Sequence, residues 1–137
     1  MMRKLLATLA VICALAAMPA AAENQGSLFV NLTTDESHRV DMAMAFSKAV
    51  MERGHPVTIW LNDKGVLVAS DRNAGTFAEQ RKTLAALIDS GVTVIACPMC
   101  MKHYTVEEDD LMDGVQVGNP ELTGSHLFKE GAQTLTW

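Results

Sequence analysis

The sequence predicts an α/β fold in one domain, a mostly parallel sheet of about five strands with helices on both faces. Three observations carry that reading. Short apolar runs alternate with longer stretches of helical periodicity in the βαβ rhythm. The run Val92-Thr93-Val94-Ile95-Ala96 has no polar alternation except Thr93, as in a strand covered on both faces. Two helical stretches run into glycine, at Gly54 and Gly91, the residue that most readily ends a helix.

The first 22 residues stand apart from that domain. Arg3 and Lys4 precede an apolar run from Leu5 to Pro19, and Ala20-Ala21-Ala22 supplies small residues before Glu23. This is the pattern of a secretory signal cleaved near Ala22, and it is too short for a membrane-spanning helix. Cys13 lies inside the apolar run, behind Ala10-Val11-Ile12, which is not a lipoprotein cleavage box. The expected product is an exported domain of residues 23–137, periplasmic or otherwise outside the cytoplasm, with no membrane attachment and two cysteines, Cys97 and Cys100.

Residues 27–33 form the first strand candidate, and a helix is expected over about 37–53, with Thr34 or Ser37 as its cap. Val40, Ala43, Met44, Val50 and Met51 fall at helical spacing, interrupted by Ser47; Met42, Ala45, Phe46 and Ala49 widen the apolar surface, so this helix should pack on more than one side. Met42, Met44 and Met51 read as core fillers. Residues 56–61 are the second strand, closed by the turn-like Asn62-Asp63-Lys64-Gly65. Residues 66–69 fit either a short strand or a buried loop. Thr76 is the expected cap of a helix over about 77–90, with Phe77, Leu84, Leu87 and Ile88 on one face. After the central strand at 92–96 come an acidic loop (Glu107 to Asp110), a strand at 115–117, a loop or short helical turn at 119–124 and an edge strand at 134–137.

The formal charge is −5, and loss of the leader with its two basic residues makes it 9 − 16 = −7. An acidic domain of this kind lacks the clustered Lys and Arg that hold phosphate, which excludes nucleic acid as a partner.

Chemistry concentrates in Cys97-Pro98-Met99-Cys100-Met101-Lys102-His103, directly after the central strand. In parallel sheets the ligand site lies beyond the carboxyl ends of the strands. Pro98 suits the first position of a helix, which makes Cys97 the cap residue and turns free N–H groups toward its sulfur. A thiolate placed so is stabilised and reactive, with Lys102 and His103 as supporting positive charge. Cys100, three residues on, shares the helical face. The pair is compatible with persulfide formation, with dithiol–disulfide cycling and with Cu(I) binding by Cys97 and Cys100 together with Met99, Met101 or His103. A plain structural disulfide is the fourth reading, although so short a loop constrains the unfolded chain little. A structural zinc site wants four ligands, and only His103 is near in sequence; His38, His55 and His126 read as surface or loop residues.

At these residues the chain resembles the DsrE/DsrF-like family of small sulfur-relay proteins. The resemblance is carried by Gly91-Val92-Thr93-Val94-Ile95-Ala96-Cys97, by the helix before it, and by Asp110-Leu111-Met112-Asp113-Gly114-Val115-Gln116-Val117. It implies a flavodoxin-like three-layer sandwich, a homo-oligomer (trimer or hexamer), Cys97 as the sulfur-carrying residue, no required cofactor, and a donor or acceptor protein for sulfur. Family members typically use one cysteine, and a second thiol three residues away attacks a persulfide and discharges it as sulfide. Cys100 therefore favours dithiol redox chemistry, with capture of copper from a donor protein as the alternative.

Overall fold

A computed structural model describes residues 26–137; the expected signal segment and cleavage site lie outside the described residues. Five strands, β1 (Leu28–Leu32), β2 (Val57–Leu61), β3 (Thr93–Ala96), β4 (Val115–Val117) and β5 (Gln133–Thr136), form one sheet in the order β4-β3-β2-β1-β5. Every neighbouring pair is parallel, so the fold is the expected α/β sandwich around a wholly parallel sheet among the described residues.

The connections are α1 (Ser37–Met51), α2 (Val66–Ala69), α3 (Ala78–Asp89), α4 (Pro98–Tyr104) and α5 (Pro120–Leu127). From β1 to β4 the chain steps in one direction across the sheet, and right-handed crossovers then put α1 to α4 on one face. There α1 packs on α3, and α2 on both α3 and α4. The return from β4 to β5 runs the other way and places α5 on the second face, where His126 Nδ1 lies 2.8 Å from Thr58 Oγ1.

Strand alternation divides the apolar residues between these faces. Leu28, Val30, Leu32, Val57, Ile59, Leu61, Val94 and Ala96 enter the main core with Val40, Ala43, Met44, Leu84 and Leu87 of the helices. Phe29, Trp60 and Ile95 alternate with them on the α5 side, and the Phe29 and Trp60 rings lie 6.0 Å apart.

Several local expectations are corrected. Glu36, not Thr34 or Ser37, caps α1, its carboxylate accepting from the amides of His38 and Arg39 at 3.1 and 3.0 Å; Thr34 Oγ1 instead accepts from Glu36 N–H. Ser47 sits in the core stripe because its hydroxyl donates to Ala43 O at 2.8 Å. Met42 is not a core residue: it is 50% exposed, as Phe46 is 43% exposed, so within one chain α1 is buried on one side only. Residues 66–69 are neither strand nor loop but the single buried turn α2. Phe77, without a side-chain cap bond, replaces Thr76 at the start of α3. The segment read as a loop or short helical turn at 119–124 is helical and longer than expected, opening α5, with Asn119 Oδ1 accepting from Leu122 N–H at 2.8 Å and Pro120 in the first turn.

Candidate functional site

The carboxyl ends of β1, β2 and β3 come together because the three strands are adjacent, parallel and in register, and the ladder continues one residue past each of β2 and β3. Asn62 N–H donates to Leu32 O and Cys97 N–H to Leu61 O, both at 2.9 Å. Asn62 and Cys97 are thus fixed side by side although 35 positions separate them in the chain.

Cys97 occupies the cap position of α4, with Pro98 in the first turn. Its sulfur, however, accepts no hydrogen bond from the α4 amides. The partner it has is Cys100, whose Sγ lies 3.1 Å away. Both cysteines are free thiols; Cys97 is 9% exposed and Cys100 half-buried. Cys97 lies outside the main hydrocarbon cluster, which Cys100 only borders.

Cys100 is held from a second side by the turn after β2. Its thiol is 2.9 Å from Asn62 Oδ1, and Asp63 N–H donates to its sulfur at 3.1 Å. Burial and the hydrogen bond to Cys97 push this thiol up to about 11; the Asp63 amide pulls the other way, and the charges of Cys97 and Asp63 add to the rise. A sulfur that keeps its proton is a poor first nucleophile and remains a hydrogen-bond donor to its neighbours. Asp63 has a left-handed backbone, φ 46°, and its Oδ1 accepts from Tyr104 Oη at 2.5 Å. Tyr104 lies one turn beyond Cys100 on the same face of α4.

The remaining expected residues point elsewhere. Met101 is buried in the main core, Met99 is 82% exposed, and the His103 ring meets Tyr104 edge-on at 4.7 Å. Lys102 and His103 are exposed in the last turn of α4, five and six residues from Cys97 and hence roughly 8–9 Å along the axis. They complement the negative end of the helix dipole rather than a thiolate at its start. The two cysteines are brought together; the thioethers and imidazole diverge because consecutive residues on a helix face different ways. Among the described residues no group of three or more His, Cys, Asp or Glu is placed to hold a metal. His38 is exposed, and His55 Nδ1 lies 2.8 Å from Gly26 O. The acidic run forms a short 3-10 turn at Glu108–Asp110, where Asp110 pairs with Arg72 at 2.5 Å. Asn62 and Asp63, read from the sequence only as a turn, and Tyr104 are not expected at the site; the available signal is that the Asn62 turn closes a strand adjacent to β3.

Fold and site together define a parallel α/β protein with a CxxC pair at the carboxyl edge of an inner strand. Residues 27–137 match the DsrE/DsrF-like family model, and the chain belongs to that family. Solved structures with the same fold include the ychN protein of E. coli, at TM-score 0.68 and 18% identity, covering 82% of this chain and 99% of that one. MTH1491 of Methanobacterium thermoautotrophicum, described as of unknown function, aligns at TM-score 0.63 and 20% identity, with 82% and 99% covered. BT1422 of Bacteroides thetaiotaomicron, also of unknown function, aligns at TM-score 0.63 and 19% identity, with 85% and 99% covered. No curated protein matches the chain. Among the described residues no helix is long and apolar enough to cross a membrane.

Proposed function

We propose that this protein handles sulfane sulfur through Cys97, with Cys100 as the resolving thiol. Membership of a sulfur-relay-like family supports the sulfur chemistry. The observation that carries the dithiol reading is the 3.1 Å approach of the two sulfurs at the end of β3, with the proton held on Cys100.

In the loading step the Cys97 thiolate attacks a sulfane sulfur of a polysulfide. A new S–S bond forms on Cys97, and the shortened polysulfide leaves with the electron pair. Cys100 then attacks Cys97 Sγ, the two cysteines close a disulfide, and the sulfur departs as HS⁻. The dithiol is oxidised by two electrons and the sulfane sulfur is reduced; an external dithiol reductant restores the pair. Where a protein acceptor reaches the persulfide first, the same Cys97 passes the sulfur on intact.

Intact mass after a polysulfide pulse tests this. The wild type gains one sulfur atom or the disulfide, Cys100→Ser retains the sulfur, and Cys97→Ser gains none. Tight one-to-one Cu(I) binding with no sulfur adduct overturns the reading in favour of copper transport, and an oxidised pair inert to reductant favours a structural bridge. We also propose that the protein works after export, on the strength of the leader-like residues 1–22, and as a homo-oligomer, which would cover Met42 and Phe46. The amino-terminal residue of protein isolated from its native compartment and its sedimentation mass check these two points.

A further inference from the structure

The chain leaving β2 passes in front of the thiols, and two of its groups reach Cys100. Asn62 Oδ1 stands 2.9 Å from Cys100 Sγ as an acceptor for its proton. Asp63 N–H is shared, donating to Cys100 Sγ at 3.1 Å and to Asn62 Oδ1 at 2.9 Å. Cys97 Sγ, at 3.1 Å, is the other acceptor within reach of the same thiol. One S–H proton serves one acceptor well at a time, so Asn62 and Cys97 compete for it.

We propose that Asn62 is a positioning residue that holds the Cys100 proton away from Cys97 and thereby sets how long a sulfur atom stays on Cys97. The proposal rests on Cys97 as the sulfur carrier and identifies what restrains its resolving partner. The restrained step is Cys97–S–S⁻ + HS–Cys100 → Cys97–S–S–Cys100 + HS⁻. The Sγ–Sγ bond forms, the bond from Cys97 Sγ to the sulfane sulfur breaks, and the departing sulfur takes the electron pair and the Cys100 proton. That proton is delivered when the S–H turns from Asn62 toward the Cys97 side.

Loss of the Asn62 acceptor acts twice in one direction. An acceptor stabilises the neutral thiol over the thiolate, so its removal favours ionisation of Cys100. The Asp63 amide, no longer shared, then donates wholly to Cys100 Sγ and stabilises the thiolate further. The titratable groups facing Cys100 are Cys97 and Asp63, with the Tyr104 phenol bound to Asp63 behind them. Asn62 is the neutral member of this set, and its substitution leaves every formal charge in place.

The test follows the decay of the Cys97 persulfide by intact mass after a polysulfide pulse, in wild type and in Asn62→Leu, which keeps the branching at Cγ and removes the acceptor. Discharge is expected to quicken roughly three- to tenfold, the effect of one ordinary hydrogen bond. A second reading uses a Cys97→Ala background, in which the alkylation rate of Cys100 against pH reports its ionisation. The midpoint in Asn62→Leu is expected to fall by about half to one pH unit. A role confined to stability lowers the melting temperature and leaves that midpoint alone. Equal persulfide lifetimes overturn the proposal, and Asn62→Ala carries the same comparison if Asn62→Leu does not fold. If wild type takes up no sulfur, the function proposed above fails, and the alkylation midpoint alone decides whether Asn62 restrains Cys100: a fall supports it and no change overturns it.

Discussion

The chain contains one tyrosine, so alkaline titration of its phenol reads the turn beside the dithiol directly. Tyr104 Oη donates to Asp63 Oδ1 at 2.5 Å, a charge-assisted bond that exists only while the phenol keeps its proton. That bond is the largest cause pushing the phenol from 10.0 up to about 12, followed by burial and by the charges of Asp63, Cys100 and Asp35. Asp63→Asn removes the anion and keeps both the size and the tolerance of a left-handed backbone that φ 46° demands. The expected midpoint is about 12 in wild type and falls back toward 10.0 in the variant. The assay is near-ultraviolet phenolate absorbance after a stopped-flow jump to alkali, read before the protein unfolds. A wild-type midpoint near 10.0, or the same midpoint in both proteins, would refute the reasoning. Either result means that Tyr104 does not hold the Asp63 carboxylate, and that the backbone amide aimed at Cys100 is not fixed from this side.

Two further expectations concern the same turn. A Cβ on Gly65 would lie 2.2 Å from Leu32 O, although φ is an ordinary −55°, so Gly65→Ala should cost about 1–3 kcal/mol through steric displacement alone; urea denaturation checks it, and a loss under about 0.5 kcal/mol would show that the turn yields freely. Cys100 ionises near 9.0 in the unfolded chain and near 11 in the folded protein, so between those values the unfolded state binds fewer protons and stability falls as pH rises; urea midpoints across that window should fall more steeply in wild type than in Cys100→Ser, and parallel profiles would count against it.

The layered fold was readable because its signals are local: β3 announces itself by an apolar run broken only at Thr93, and α1 and α3 by periodicity ending near Gly54 and Gly91, whose φ values are +89° and +96°. Caps were less readable because several nearby oxygens compete for the same amides, and Glu36 wins by reaching two of them. Met42 shows the limit of periodicity, which identifies an apolar face without saying what covers it. The two cysteines were found by spacing alone. The amide contacts expected at the helix start are absent, because the Cys97 sulfur meets Cys100 rather than the α4 amides.

What spacing cannot supply is the other half of the site. Asn62 and Asp63 precede Cys100 by 38 and 37 positions and carry no motif, and a turn of that composition closes many strands. They become neighbours of the dithiol only because β2 and β3 are adjacent and parallel, with Leu61 opposite Ala96. In an antiparallel pair of strands the turn after β2 would lie beside the entry of β3, a strand's length from the thiols. The crossover from β2 to β3 returns the chain to the starting edge and so puts two successive strand exits at one rim. A CxxC pair alone offers two interchangeable thiols; the neighbouring exit makes them unequal by giving Cys100 an acceptor and an amide donor that Cys97 lacks. The proposed division of labour between carrier and resolver therefore rests on the sheet topology as much as on the cysteine spacing.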